Sequence, residues 1–126
     1  MSFRGIMFVP VAVGAVLNII ATVLIWVAAS IAEDLDVGTF GVTLILSIGL
    51  AQAAFNAFAA GCIAKTDYLQ HGLAVGALGL AFAIFWGVSP DGKLPAWYGV
   101  FLYGGFLPVS VLGGHLAAGL RRLDEG

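Results

Sequence analysis

Asn18, Thr22, Gln52 and Asn56 are isolated polar residues within long uncharged stretches. A carboxamide carries N–H donors and a carbonyl acceptor. It can therefore bond to a neighbouring helix, to water or to a neutral polar solute, but it does not exchange protons at neutral pH. Burying such a group without a partner is costly. Helical spacing places Gly14, Asn18 and Thr22 on one face, and Gln52 and Asn56 on one face of a second helix. Counted inward from the ends of their segments, Asn18 and Gln52 reach similar depth, which predicts an interhelical amide cluster. Its structural role would be to join helices, and its functional role to line a path for water or a polar solute.

Cys62, His71 and His115 are residue types that bind zinc or copper. No two of them have helix-face spacing within one segment, and no fourth ligand lies nearby. No metal and no cofactor is expected, and each histidine is read as a hydrogen-bonded or solvated residue. Catalytic residues are not expected either. The sequence offers no phosphate-binding glycine loop and no Ser-His-Asp spacing, and no Asp, Glu, Lys or Arg in the middle of an apolar stretch. A proton-coupled carrier therefore lacks its usual group at depth, and Glu33 is too near a segment end to replace it.

The run Tyr103-Gly104-Gly105-Phe106-Leu107-Pro108 has a mechanical consequence. Proline removes a backbone donor and clashes with the preceding turn, so Gly104, Gly105 and Pro108 predict a kink or local unwinding. Carbonyls freed there could line a binding site, as in broken transporter helices. A purely structural kink is the plainer reading, since Pro and Gly are common in membrane helices.

The elements that carry these residues follow from composition. The chain has 126 residues, 61% hydrophobic and 10% charged, with a mean hydropathy of +1.06. A soluble domain carries about 25% charged residues, so most of this surface does not meet water. The charges cluster at Arg4, Glu33 to Asp36, Lys65 and Asp67, Asp91 and Lys93, and Arg121 to Glu125. Each interval between them exceeds the roughly 20 residues that cross a ~30 Å hydrocarbon core. Four transmembrane helices are predicted, over residues 6–32, 38–64, 69–89 and 95–120. The alternating strands of a membrane β-barrel are absent. The expected fold is all-α, a single polytopic antiparallel bundle with short connections.

Arg4, Lys65, Arg121 and Arg122 fall on one side of such a bundle, and Lys93 on the other. The positive-inside rule then puts both termini in the cytoplasm, and Trp26, Trp86, Trp97 and Tyr98 near the outer interface. Ser30-Ile31-Ala32 resembles a signal cleavage site, but the apolar run before it exceeds the about 7 to 15 residues of a signal core, so it is read as a span. The net charge of −2 points to no nucleic-acid partner.

Ala12-Val13-Gly14-Ala15-Val16-Leu17 resembles Ala74-Val75-Gly76-Ala77-Leu78-Gly79, and Ala60-Gly61-Cys62-Ile63-Ala64 resembles Gly113-Gly114-His115-Leu116-Ala117. These matches suggest two repeated helix hairpins in parallel orientation. Small-residue composition produces similar matches, so both origins stay open. Small residues also recur at helical spacing: Ala53, Ala57 and Gly61, then Gly72 and Gly76, then Gly114 and Ala118. Lipid supplies little hydrophobic drive between helices, so close packing along such stripes takes its place. The perimeter left over would face the lipid bilayer, further copies or other membrane subunits.

Ala59-Ala60-Gly61-Cys62-Ile63-Ala64-Lys65, then His71-Gly72-Leu73-Ala74-Val75-Gly76-Ala77, and the stretch from Gly113 to Arg122 resemble small four-helix prokaryotic membrane proteins of unknown function. The resemblance implies a compact bundle in the cytoplasmic membrane and carries over no catalytic residue. Small multidrug-resistance transporters fit less well, because they carry a membrane-embedded glutamate where the first helix here offers Asn18. The sequence thus predicts a non-catalytic structural or accessory membrane subunit that self-associates or docks on a complex. The alternative is an oligomeric channel or carrier for a small polar or neutral solute.

Overall fold

The computed structural model describes residues 6–35, 37–87 and 94–125, with side chains as far as Leu123. Four helices occupy them: α1 (Phe8–Leu35), α2 (Gly38–Ala64), α3 (Tyr68–Trp86) and α4 (Ala96–Glu125). All four are long and apolar enough to cross a membrane. The chain is therefore an all-helical protein of multi-pass membrane type. Arg4, Asp36, Val88, Ser89, Asp91 and Lys93 lie outside the described residues, so the far end of the third predicted span is not placed.

The helix ends differ from the predicted spans for local reasons. α1 continues to Leu35, through Glu33 and Asp34, because a helix tolerates charge once it has left the apolar layer. α4 likewise runs past Leu120 through Arg121 and Arg122, where basic side chains complement the negative end of the helix dipole. α3 stops at Trp86 because Gly87 turns the chain with φ +99°, its N–H bonding the Ala83 carbonyl at 2.9 Å. α2 ends at Lys65, which has φ +62° and donates its N–H to the Gly61 carbonyl at 2.9 Å. Asp67 two residues later has φ +48°. An L-residue in this left-handed region costs roughly 1–2 kcal/mol, which glycine would avoid.

The helix pairings are set by residues with little or no side chain. Along α1 and α2, Gly14 meets Ala60, Asn18 meets Asn56 and Ile25 lies over Gly49. Along α3 and α4, Gly72 lies on Gly114, Gly76 on Ser110, and Gly79 against Phe106. α2 and α4 meet at Gly61 with Ala117, Gly113 with Ala54, Gly105 with Leu50, and Gly49 with Leu102. α1 and α3 meet at Gly14 with Val75. Among the described residues α1 and α4 do not approach each other closely, so α2 and α3 form the near diagonal and α1 and α4 the far one.

A small apolar cluster of Val42, Leu46 and Tyr98 joins α2 to the start of α4. Large side chains elsewhere face outward on every helix, including Phe8 at 84%, Phe40 at 82% and Phe85 at 85% exposure. So continuous an apolar surface is untenable in water and suits a hydrocarbon solvent.

Candidate functional site

Three of the four polar residues singled out by the sequence form one hydrogen-bonded chain. Asn18 and Asn56 are buried, with 1% and 0% exposure. The Val75 carbonyl can only accept, so the Asn18 group facing it at 3.1 Å is Nδ2. That orientation leaves Asn18 Oδ1 towards α2, where it accepts from Asn56 Nδ2 at 2.7 Å. Asn56 Oδ1 is then available to Gln52 Nε2, one helical turn away on α2, at 3.1 Å. A single backbone acceptor on α3 thus fixes the orientation of amides on α1 and α2.

Gly79 makes this possible. It stands four residues after Val75, and a Cβ at Gly79 would overlap Asn18 Nδ2. The missing side chain lets Asn18 reach the second lone pair of the Val75 carbonyl. Gly14 performs a similar service nearby, since a Cβ there would lie 2.5 Å from Val75 Cγ2.

Thr22 does not join the amide chain. It lines a pocket of about 30 Å³ that ends at Asn18, enough for about two water molecules. Its wall also includes Ile25 and Trp26 from α1, Gly49 and Ala53 from α2, Ala83 from α3 with Gly87 just after it, and Tyr103 and Phe106 from α4. The hollow exists because α1 and α4 stand apart while α2 and α3 present small residues between them. Tyr103 crosses it and donates its hydroxyl to the Ala83 carbonyl at 3.3 Å. Trp26 packs edge-on against Trp86 at 5.8 Å, and Phe82 stacks on Trp86 at 5.7 Å, forming an aromatic rim at this end.

The predicted packing stripes occupy helix contacts. Ala53 and Ala57 are buried, Gly61 faces Ala117, and Gly72 and Gly76 face Ser110. α4 in fact carries two stripes, which the expected pair Gly114 and Ala118 did not separate. Gly113 and Ala117 pack on α2, whereas Ser110 and Gly114 pack on α3, and Ala118 is half-buried. A Cβ at Gly113 would overlap the Ala54 carbonyl oxygen, and one at Gly114 would lie 2.6 Å from the Tyr68 carbonyl oxygen.

Gly104, Gly105 and Pro108 lie in an α4 that stays helical from Ala96 to Glu125, so the expected local unwinding is absent. Pro108 and Gly104 face outward, where the proline ring and the lost donor disturb no helix partner. His71 is fully buried. Its Nε2 accepts the Met7 N–H at 3.0 Å, so the proton sits on Nδ1, which donates to the Asp67 carbonyl at 2.9 Å. That neutral tautomer clamps the segment before α1 to the start of α3. His115 is exposed and Cys62 half-buried. Among the described residues, no three His, Cys, Asp or Glu side chains come together.

Sequence reasoning did not anticipate Val75, Gly79, Ser110, Gly113, Ala117 or Tyr103 in these roles. Gly79 continues the Gly72 and Gly76 spacing and was within reach of the pattern; the Val75 carbonyl, a backbone group, leaves no mark in a sequence. The chain matches no protein-family profile, no curated protein and no solved structure at a significant level.

Proposed function

We propose that the chain is a non-catalytic integral membrane protein, a structural or accessory subunit that self-associates or docks on other membrane subunits. The observation that carries this reading is the bonded chain from Gln52 through Asn56 and Asn18 to the Val75 carbonyl. The polar groups best placed to line a solute path are bonded to one another and join three helices. A continuous apolar perimeter remains outside them for lipid and protein neighbours.

The residue pairings support an antiparallel bundle: from Gly14 to Ile25 along α1, the partners on α2 run backwards from Ala60 to Gly49. α3 and α4 run oppositely in the same way. α1 with α3, and α2 with α4, pair in the same direction, as two parallel-repeated hairpins would. Lys65, Arg121 and Arg122 at one end and Trp26 and Trp86 at the other support the reading of a cytoplasmic-membrane protein with both termini inside. The resemblance to small four-helix prokaryotic membrane proteins accords with this role.

The test is native mass spectrometry of the protein released from its own membrane in a mild detergent or nanodisc. A homo-oligomer or stoichiometric foreign subunits are expected, and a purely monomeric chain under the same conditions refutes the reading. The second reading, a channel or carrier for a small polar or neutral solute, draws on the pocket that reaches Asn18 and Thr22. For it, Asn56→Leu, which removes the amide bonded to Asn18 at the end of that pocket, should abolish liposome flux without loss of helicity.

A further inference from the structure

A second recess, of about 80 Å³, opens at the opposite end of the molecule from the aromatic rim. It is walled by Cys62, Lys65, Tyr68, Ala117, Leu120 and Arg121. Two cations, one phenol and an apolar floor therefore converge where α2 turns into α3 beside the last turns of α4.

The phenol is held in place by its surroundings. The Tyr68 ring rests on Gly61, its Cδ1 lying 3.4 Å from where a Cβ would be, and the Tyr68 carbonyl sits over Gly114. Its hydroxyl is buried and has no hydrogen-bond partner among the described residues. Buried hydroxyls are normally paired; unlike Tyr98, whose unpaired hydroxyl borders neither recess, Tyr68 lines this one, and an acceptor entering it would satisfy the donor. Lys65 is fixed by a left-handed backbone that glycine would adopt more easily. Its side chain is exposed and lines the recess, which puts a positive charge at the mouth. Asp67, the acid of the same turn, does not line the recess.

A ligand that meets all three groups has several acceptor oxygens and a negative charge in a small volume. We propose that this recess binds a phosphate group, with Lys65 and Arg121 balancing its charge and the Tyr68 hydroxyl donating to one of its oxygens. The apolar wall of Ala117 and Leu120 favours a phosphate that arrives on a phospholipid headgroup. This inference stands independently of the accessory-subunit reading.

The full chain, purified in non-ionic detergent, is titrated with phosphatidylglycerol or phosphatidylcholine and analysed by native mass spectrometry, with inorganic phosphate as competitor. The wild type is expected to retain phosphatidylglycerol in preference to phosphatidylcholine. Lys65→Asn, which suits the left-handed turn, and Arg121→Gln should each weaken that retention roughly fivefold. Tyr68→Phe keeps the ring and the fold and should weaken it severalfold, while Arg122→Gln, outside the recess, should not. Displacement by inorganic phosphate assigns the site to a free anion, and lipid retained in its presence assigns it to a headgroup. Equal retention of the two lipids overturns the proposal, as does a loss in Arg122→Gln as large as that in Arg121→Gln.

Discussion

Asn56 Nδ2 lies 2.7 Å from Asn18 Oδ1, joining α2 to α1 through two side chains that are almost wholly buried. Either Asn18→Ala or Asn56→Ala leaves the other amide short of a partner, at an expected cost of about 1–3 kcal/mol. The double variant should show a coupling of about 0.6–1.7 kcal/mol, the range of hydrogen bonds between membrane helices. Reversible unfolding in mixed micelles measures all four corners of this cycle. Strict additivity would mean that the pair does not hold the two helices together.

Glycine positions on α4 should separate sharply. Gly113→Ala and Gly114→Ala place a methyl against the backbone of Ala54 and Tyr68 and should destabilise by about 1–3 kcal/mol. Gly104 faces open space, so Gly104→Ala should gain roughly 0.5–1 kcal/mol from backbone entropy. Thermal melts of the three variants decide the order, and a loss at Gly104 would contradict the contact assignment.

Much of this arrangement is legible in the sequence, because charge spacing dictates helix number and i, i+4 spacing dictates which side chains share a face. Asn18 meets Asn56 across the α1–α2 contact, one turn from Gln52, whose depth the sequence matched to that of Asn18; Gln52 joins only through Asn56 on its own helix. Thr22 shares the Asn18 face yet lies beside the pocket, because the acceptor that orients Asn18 is on α3 and draws its amide away. The split of α4 into a Gly113 stripe and a Ser110 stripe is likewise invisible in one dimension. Both stripes have the same composition and differ only in which neighbour they meet.

Lys65→Gly relieves the left-handed strain at the end of α2 and should raise stability by about 1 kcal/mol. The same substitution should lower phosphatidylglycerol retention. Stability and binding measured on one preparation are expected to move in opposite directions. A destabilised Lys65→Gly would instead show that the lysine side chain supports the turn.

His71 holds Met7 through Nε2 and Asp67 through Nδ1. His71→Ala should release the segment before α1, seen as faster hydrogen exchange at the Met7 amide with little change in the middle of α1. Unchanged exchange there would locate the anchor elsewhere.

Tyr98 is fully buried, and its hydroxyl has no hydrogen-bond partner among the described residues. Tyr98→Phe keeps the ring between Val42 and Leu46 and removes the polar atom, so stability should rise by about 1 kcal/mol in a thermal melt. A clear loss would reveal a partner for the hydroxyl.

Asn18, Gln52, Asn56 and Val75 all precede α4 in the chain, and α4 contributes no side chain to their network. Ribosomes deliver the N-terminus first. α1, α2 and α3 can therefore latch while α4 is still being synthesised, and α4 then docks by shape into a groove already built.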